Sequence, residues 1–133
     1  MLKRMVTLTA IVTDEFKQRL AGELKQAADD QQRRIDQMDF QARRVIADIQ
    51  KSDLSQAMSV RQRLEAEKAR QEAVKRDFLE RVGQVSELEI GSRFPYNAIE
   101  GTVEVNVGEN LAEKLNNAEI VVKDGIVVEI NEP

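Results

Sequence analysis

Carboxylates on neighbouring turns of a helix can hold a hard cation, and four of them crowd one stretch of this chain: Asp29, Asp30, Asp36 and Asp39. Asp36 and Asp39 stand three residues apart, which places them on one face of a helix. Arg33 and Arg34 are interleaved with them, so the pattern reads as a solvated, self-neutralising face before it reads as a metal site. Basic pairs form a second constellation: Arg33-Arg34, Arg43-Arg44, Arg61 with Arg63, Lys68 with Arg70, and Lys75-Arg76. Such a lattice suits the phosphates of an RNA backbone. Acids stand among these residues nearly one for one, however, and the helical segment offers few aromatics on which bases would stack. Nucleic acid is therefore the alternative partner, bound through Arg33, Arg34, Arg43 and Arg44 on the helices. A third constellation, Arg93-Phe94-Pro95-Tyr96-Asn97, reads as a loop whose Phe94 and Tyr96 either dock a partner or lid a sheet.

Other chemistry is excluded by what the sequence lacks. There is no cysteine for a disulfide or thiolate site, and no histidine to serve as general base or metal ligand. No glycine-rich phosphate loop, nucleophile elbow or serine–base pairing occurs. The expectation is a protein without catalytic activity, cofactor or metal. No apolar run approaches a membrane span, and Thr7 and Thr9 interrupt the apolar N-terminal stretch where a signal peptide would need its core. A cytoplasmic location without membrane attachment is expected.

The elements that carry these residues follow from periodicity. A hydrophobic fraction of 41% beside 33% charged suits solvated amphipathic helices better than one large core. Met5 to Thr13 alternates apolar and polar residues as a strand does, and Thr13 offers a cap to a helix starting at Asp14. From there to about Lys51 an apolar seam runs Phe16, Leu20, Leu24, Ala27, Gln31, Ile35, Met38, Ala42, Val45, Ile49. Its steps of four and three group into eleven-residue repeats, the spacing of a nearly straight helix pair. Such a helix would be roughly 55 Å long and needs a partner helix to cover its stripe. The partner follows in the chain, with a stripe of Val60, Leu64, Glu67, Gln71, Val74, Phe78 and Val82 and a cap at Gly83. Lys51 to Gln56 interrupts the pattern, and Asp53 with Gln56 resembles a capping box. The interruption contains neither Gly nor Pro, so one continuous helix over 14–83 is the competing reading.

Short strands are expected afterwards, at Val85–Ile90, at Ile99–Val107 and in the stretch Glu119–Ile130, with a short helix capped by Asn110 between them. Asp124-Gly125 predicts a type I′ hairpin turn. In that register Val121, Ile126, Val128 and Ile130 share one face and Ile120, Val122 and Val127 the other, so one apolar face can line the sheet core and the other must meet the helix base or a second subunit. The fold class is α+β: a long two-helix antiparallel coiled-coil hairpin inserted between strands of a small antiparallel sheet or barrel. Its parts are a β domain over 1–13 and 84–133 with one short helix, and a helical hairpin over 14–83. Charge divides along the same line. Residues 14–83 carry 15 basic and 14 acidic side chains, whereas 84–133 carry three basic against ten acidic ones. Phosphate backbones are repelled by the second part.

The first strand, the charged helical segment and Ile99-Glu100-Gly101-Thr102-Val103 through Val107-Gly108 together resemble the YlqD family, as does the ending Ala118 to Ile130 around Asp124-Gly125. The resemblance spans most of the chain and implies a bacterial cytoplasmic protein of this architecture. It transfers no catalytic residue, because the family is uncharacterised. Family genes that lie near ribosome-maturation genes in some bacteria lend the RNA reading its leaning towards translation. The function expected first is that of a structural or adaptor protein working through protein–protein contacts. Its protein partner is unidentified beyond a second copy in a homo-oligomer, and its contact surface is Val121, Ile126, Val128 and Ile130 together with Phe94 and Tyr96.

Overall fold

The computed structural model describes residues 2–132. In chain order they form β1 (Leu2–Ile11), α1 (Asp14–Gln50), α2 (Leu54–Ser86), β2 (Arg93–Val103), α3 (Leu111–Leu115), β3 (Ala118–Lys123) and β4 (Ile126–Asn131). The chain divides into two compact units, one of Met1–Gln18 with Leu88–Pro133 and one of Arg19–Glu87.

In the first unit a four-stranded sheet has the order β2-β1-β3-β4. Strand β1 pairs antiparallel with β2 and parallel with β3, and β3 pairs antiparallel with β4. The sheet is therefore mixed and open at β2 and β4, where an antiparallel sheet or barrel was expected. Connectivity supplies the reason. Strand β2 ends with Val103 beside Leu2, at the start of β1. The following segment, with α3 against β1, crosses to the other side and must enter in the direction of β1, with Ala118 opposite Val6. Four strands are also too few to close a barrel.

Two other strand expectations fail for local reasons. Val85 continues the shielded stripe of α2, so the helix runs through Gly83 and ends at Ser86, with Glu87 as its cap. Among the described residues the pairing of β2 with β1 ends at Leu2 opposite Val103, and Val107 stands wholly exposed in a loop. Conversely, Arg93 to Asn97 belongs to β2 instead of a loop. Pro95 is tolerated there because β2 is an edge strand, and the ladder skips Tyr96 as a bulge. Thr13 does cap α1, its Oγ1 accepting from the Phe16 amide at 3.1 Å. The turn at Asp124-Gly125 has both residues at positive φ, 49° and 83°, as type I′ requires. Val12, Phe16, Ala10, Ala118 and Val121 are buried, and the Phe16 and Phe94 rings lie 5.8 Å apart.

In the second unit the helix breaks at Lys51–Asp53, which excludes a continuous helix in this structure. Asp53 Oδ1 accepts from the Gln56 amide at 3.0 Å and so caps α2. Gln31 meets Gln71 and Gln32 meets Lys75, whereas Asp39, further along α1, meets Lys68, which comes earlier on α2. The helices are antiparallel. The shielded stripe of α1 follows the expected seam with two corrections: Ala28 is buried beside Ala27, and Ile46 takes the place of Val45, which is exposed. The steps 38-42-46-49 then repeat the 4-4-3 rhythm of the preceding turns. On α2 the correction is Val74, which faces outward, while Lys75 sits in the seam and donates to Gln32 at 2.8 Å.

Candidate functional site

The residues proposed for contact separate once the register is known. Val121 has 0% exposure and belongs to the core, so it offers no surface. Ile126, Val128 and Ile130 do lie exposed, with Ile126 at 69% and Ile130 at 63%, and Val127 is exposed beside them. They occupy β4, an edge strand. The expected facing is altered by one irregularity. Val122 pairs with Val127 but Val121 pairs with Glu129, leaving Val128 as an extra residue. One inserted residue moves everything beyond it to the opposite face, so Ile130 lies opposite Ile120 and not beside Val121. Strand β4 is thus apolar and open on both sides and along its free edge. Edge strands with that character are templates for pairing.

A polar network that periodicity did not disclose pins this strand. Glu119 on β3 accepts from the Thr9 hydroxyl of β1 at 2.8 Å and from the Asn131 amide of β4 at 2.9 Å. Arg93 of β2 lies 3.7 Å from Glu119 and donates to Glu129 of β4 at 2.6 Å. All four strands are tied by these five side chains. The Thr9 hydroxyl first, then Asn131 and the Arg93 charge, hold the Glu119 carboxyl below the usual range against the opposing effect of burial. No pattern within one segment could have revealed it, since Thr9 and Glu119 stand 110 residues apart. Arg93 also pairs with Glu129, so that the one carboxylate amid the apolar residues of β4 does not stand free.

The other expected site residues are placed differently. Phe94 is half-buried against Phe16 and serves packing, whereas Tyr96 is exposed at the bulge of the opposite edge. Arg33 pairs with Asp30 at 3.1 Å and Arg43 with Asp39 at 3.2 Å, each within its own helix. Arg34 and Arg44 are exposed. Asp36 accepts from Gln32, and Asp39 is shared by Arg43 and Lys68. No group of three or more His, Cys, Asp or Glu side chains that could hold a metal comes together among the described residues. Near the helical turn a groove of about 390 Å³ opens between α1 and α2, with Met38, Ala42, Ile46 and Leu64 among its lining and Arg43, Arg61, Glu65 and Lys68 around them. Among the described residues no helix is long and apolar enough to cross a membrane.

Comparison with known proteins agrees with this architecture. A family model described as YlqD protein matches residues 1–131. A crystal structure of a protein of unknown function from Synechococcus sp. WH 8102 is similar, with a TM-score of 0.85 and 26% identity, over 98% of this chain and 93% of that one. Among the curated proteins none matches.

Proposed function

The chain belongs to the YlqD family, and for this member we propose the work of a structural or adaptor protein without catalytic activity, acting through protein–protein contacts. In this reading α1 and α2 form a coiled-coil hairpin set between β1 and β2, the protein works in the cytoplasm, and it associates with itself. The observation that carries the proposal is β4. An apolar strand exposed on both faces and along one edge leaves Ile126, Val127, Val128 and Ile130 in water, and a further strand or apolar surface laid against it would remove that area from solvent. The bulge at Val128 limits pairing to short lengths, which suits a reversible contact better than a fibre. Light scattering over a concentration series tests it. The expected result is association that grows with concentration and is abolished by Val128→Glu. A strict monomer at high concentration, unchanged by that substitution, would remove the self-association claim.

RNA binding through the helical arginines remains the second reading, and the geometry supports it less. Arg33, Arg43, Arg70 and Arg81 are each engaged by an acid three or four residues away. Arg34 and Arg44, exposed and in no ion pair among the described residues, are what favours it at all.

A further inference from the structure

Nothing in the turn between the two long helices prevents it from being helical. Lys51–Asp53 contains no glycine or proline and no residue at positive φ, and the Asp53 that caps α2 is extended at φ −152° and ψ 101°. The shielded stripe gives an independent sign. It leaves α1 at Ala42, Ile46 and Ile49 and resumes on α2 at Ala57, Val60 and Leu64. From Ile49 to Ala57 is two steps of four, with Asp53 at the intermediate position. The 4-4-3 rhythm of α1 therefore passes through the turn without a change of phase. A hairpin makes no such demand, because each of its helices can rotate to face the other. A single helix from Asp14 to Ser86 requires it.

We propose that Lys51–Asp53 is a hinge through which two copies of this chain exchange helices. The turn straightens, α1 and α2 become one helix, and two such helices pair antiparallel about a two-fold axis at the hinge. The contacts that hold the hairpin are all available again between copies. Gln31 meets the Gln71 of the second copy, Gln32 its Lys75 and Asp39 its Lys68, because the midpoint of every such pair falls on the turn or beside it. Exchange of identical elements of this kind changes little except the hinge itself. At the tip of the hairpin Leu54 is 65% exposed, and a second chain running past the hinge would partly cover it.

Asp53 sets the balance. In the hairpin its carboxylate caps α2 at 3.0 Å from the Gln56 amide. In the exchanged pair it would lie in the apolar stripe close to the two-fold axis, facing the Asp53 of the other chain. Both effects favour the hairpin, so removing this one side chain releases the exchange.

The test uses the full chain with two substitutions at the hinge. Asp53→Leu deletes the cap and fills the vacant stripe position. Leu54→Pro does the opposite: proline suits the first residue of α2 after an extended Asp53 but breaks a straightened helix. Donor- and acceptor-labelled chains, marked at Ala21 and Arg81 respectively, are unfolded together, refolded and read by light scattering and energy transfer. Asp53→Leu is expected to dimerise about tenfold more tightly or better, since two caps per dimer no longer oppose it, with energy transfer between chains. Asp53→Ala, a milder change, should shift the same way, and Leu54→Pro combined with Val128→Glu, which removes the β4 contact, should be monomeric with its helical circular dichroism retained. Val128→Glu should leave the exchanged dimer intact. Monomeric Asp53→Leu and Asp53→Ala proteins, or a dimer that persists when Leu54→Pro is combined with Val128→Glu, would overturn the exchange. A dimer lost with Val128→Glu but kept with Leu54→Pro would overturn it while leaving the β4 contact standing.

Discussion

Glu119 shows how much one side chain can organise when neighbours from three other strands converge on it. Its carboxylate accepts from Thr9 and Asn131 and lies near Arg93, and these partners lower its pKa. A folded-state pKa below the unfolded value means that the charged form stabilises the fold. That contribution is complete above the usual glutamate pKa of about 4.3 and fades as pH falls through the lowered folded value. Glu119→Gln should therefore lower the urea midpoint at neutral pH, and the gap from the unmodified protein should narrow as pH is taken below about 4. An equal gap at both pH values would mean that geometry, not charge, is what Glu119 supplies. Val121 makes the complementary point. Its β-branched side chain in an apolar strand reads equally well as core or contact surface, and only its full burial tells which.

Among the elements, the helix pair carries a polar layer where an apolar one would be more stable. Gln31 is 4% exposed and donates to Gln71, which in turn donates to Glu67 at 2.8 Å. Buried amides of this kind select one register, because any slip leaves them unpaired. Replacing Gln31 alone by Leu should destabilise the protein by about 1–3 kcal/mol, the cost of a buried group left without a partner. Replacing Gln31 and Gln71 together by Leu should recover that loss or exceed it, with register freedom as the consequence. Thermal melts of both singles and the double, read as a cycle, measure the coupling. Additive effects would show that the layer specifies nothing. Seam positions themselves were legible in the sequence except that Ala28 is buried beside Ala27 and that Val45 and Val74 were misassigned. Both misassignments arose because an apolar side chain stood beside the true seam position, and burial depends on the partner's phase as well as on hydrophobicity.

For the molecule as a whole, charge sorts the partners. The helical part is nearly neutral and self-paired, and residues 84–133 carry ten acids against three bases. Filter binding to single-stranded RNA should show no retention at low salt or at about 0.15 M, where the Debye length is ~8 Å. Retention at low salt that is lost at the higher concentration, and lost also with Arg34→Ala and Arg44→Ala, would promote the RNA reading over the adaptor one. The light-scattering comparison of Val128→Glu belongs at this level too, since it asks whether the open edge of the sheet meets another chain.

Periodicity carried the parts whose side-chain pattern answers to local geometry. The two long helices, the break between them at Asp53, the cap at Thr13 and the Asp124-Gly125 turn are all written in spacing and residue type, because helix faces, caps and tight turns involve residues a few positions apart. The order of the strands, the parallel pairing of β1 with β3, the bulge at Val128 and the Glu119 network are not. Each depends on which segment arrives beside which after the chain has crossed the sheet, and a single-residue change of register there turns an apolar face from core to solvent. That is why Val121 lies inside and Ile130 outside, although one alternating pattern contains them both.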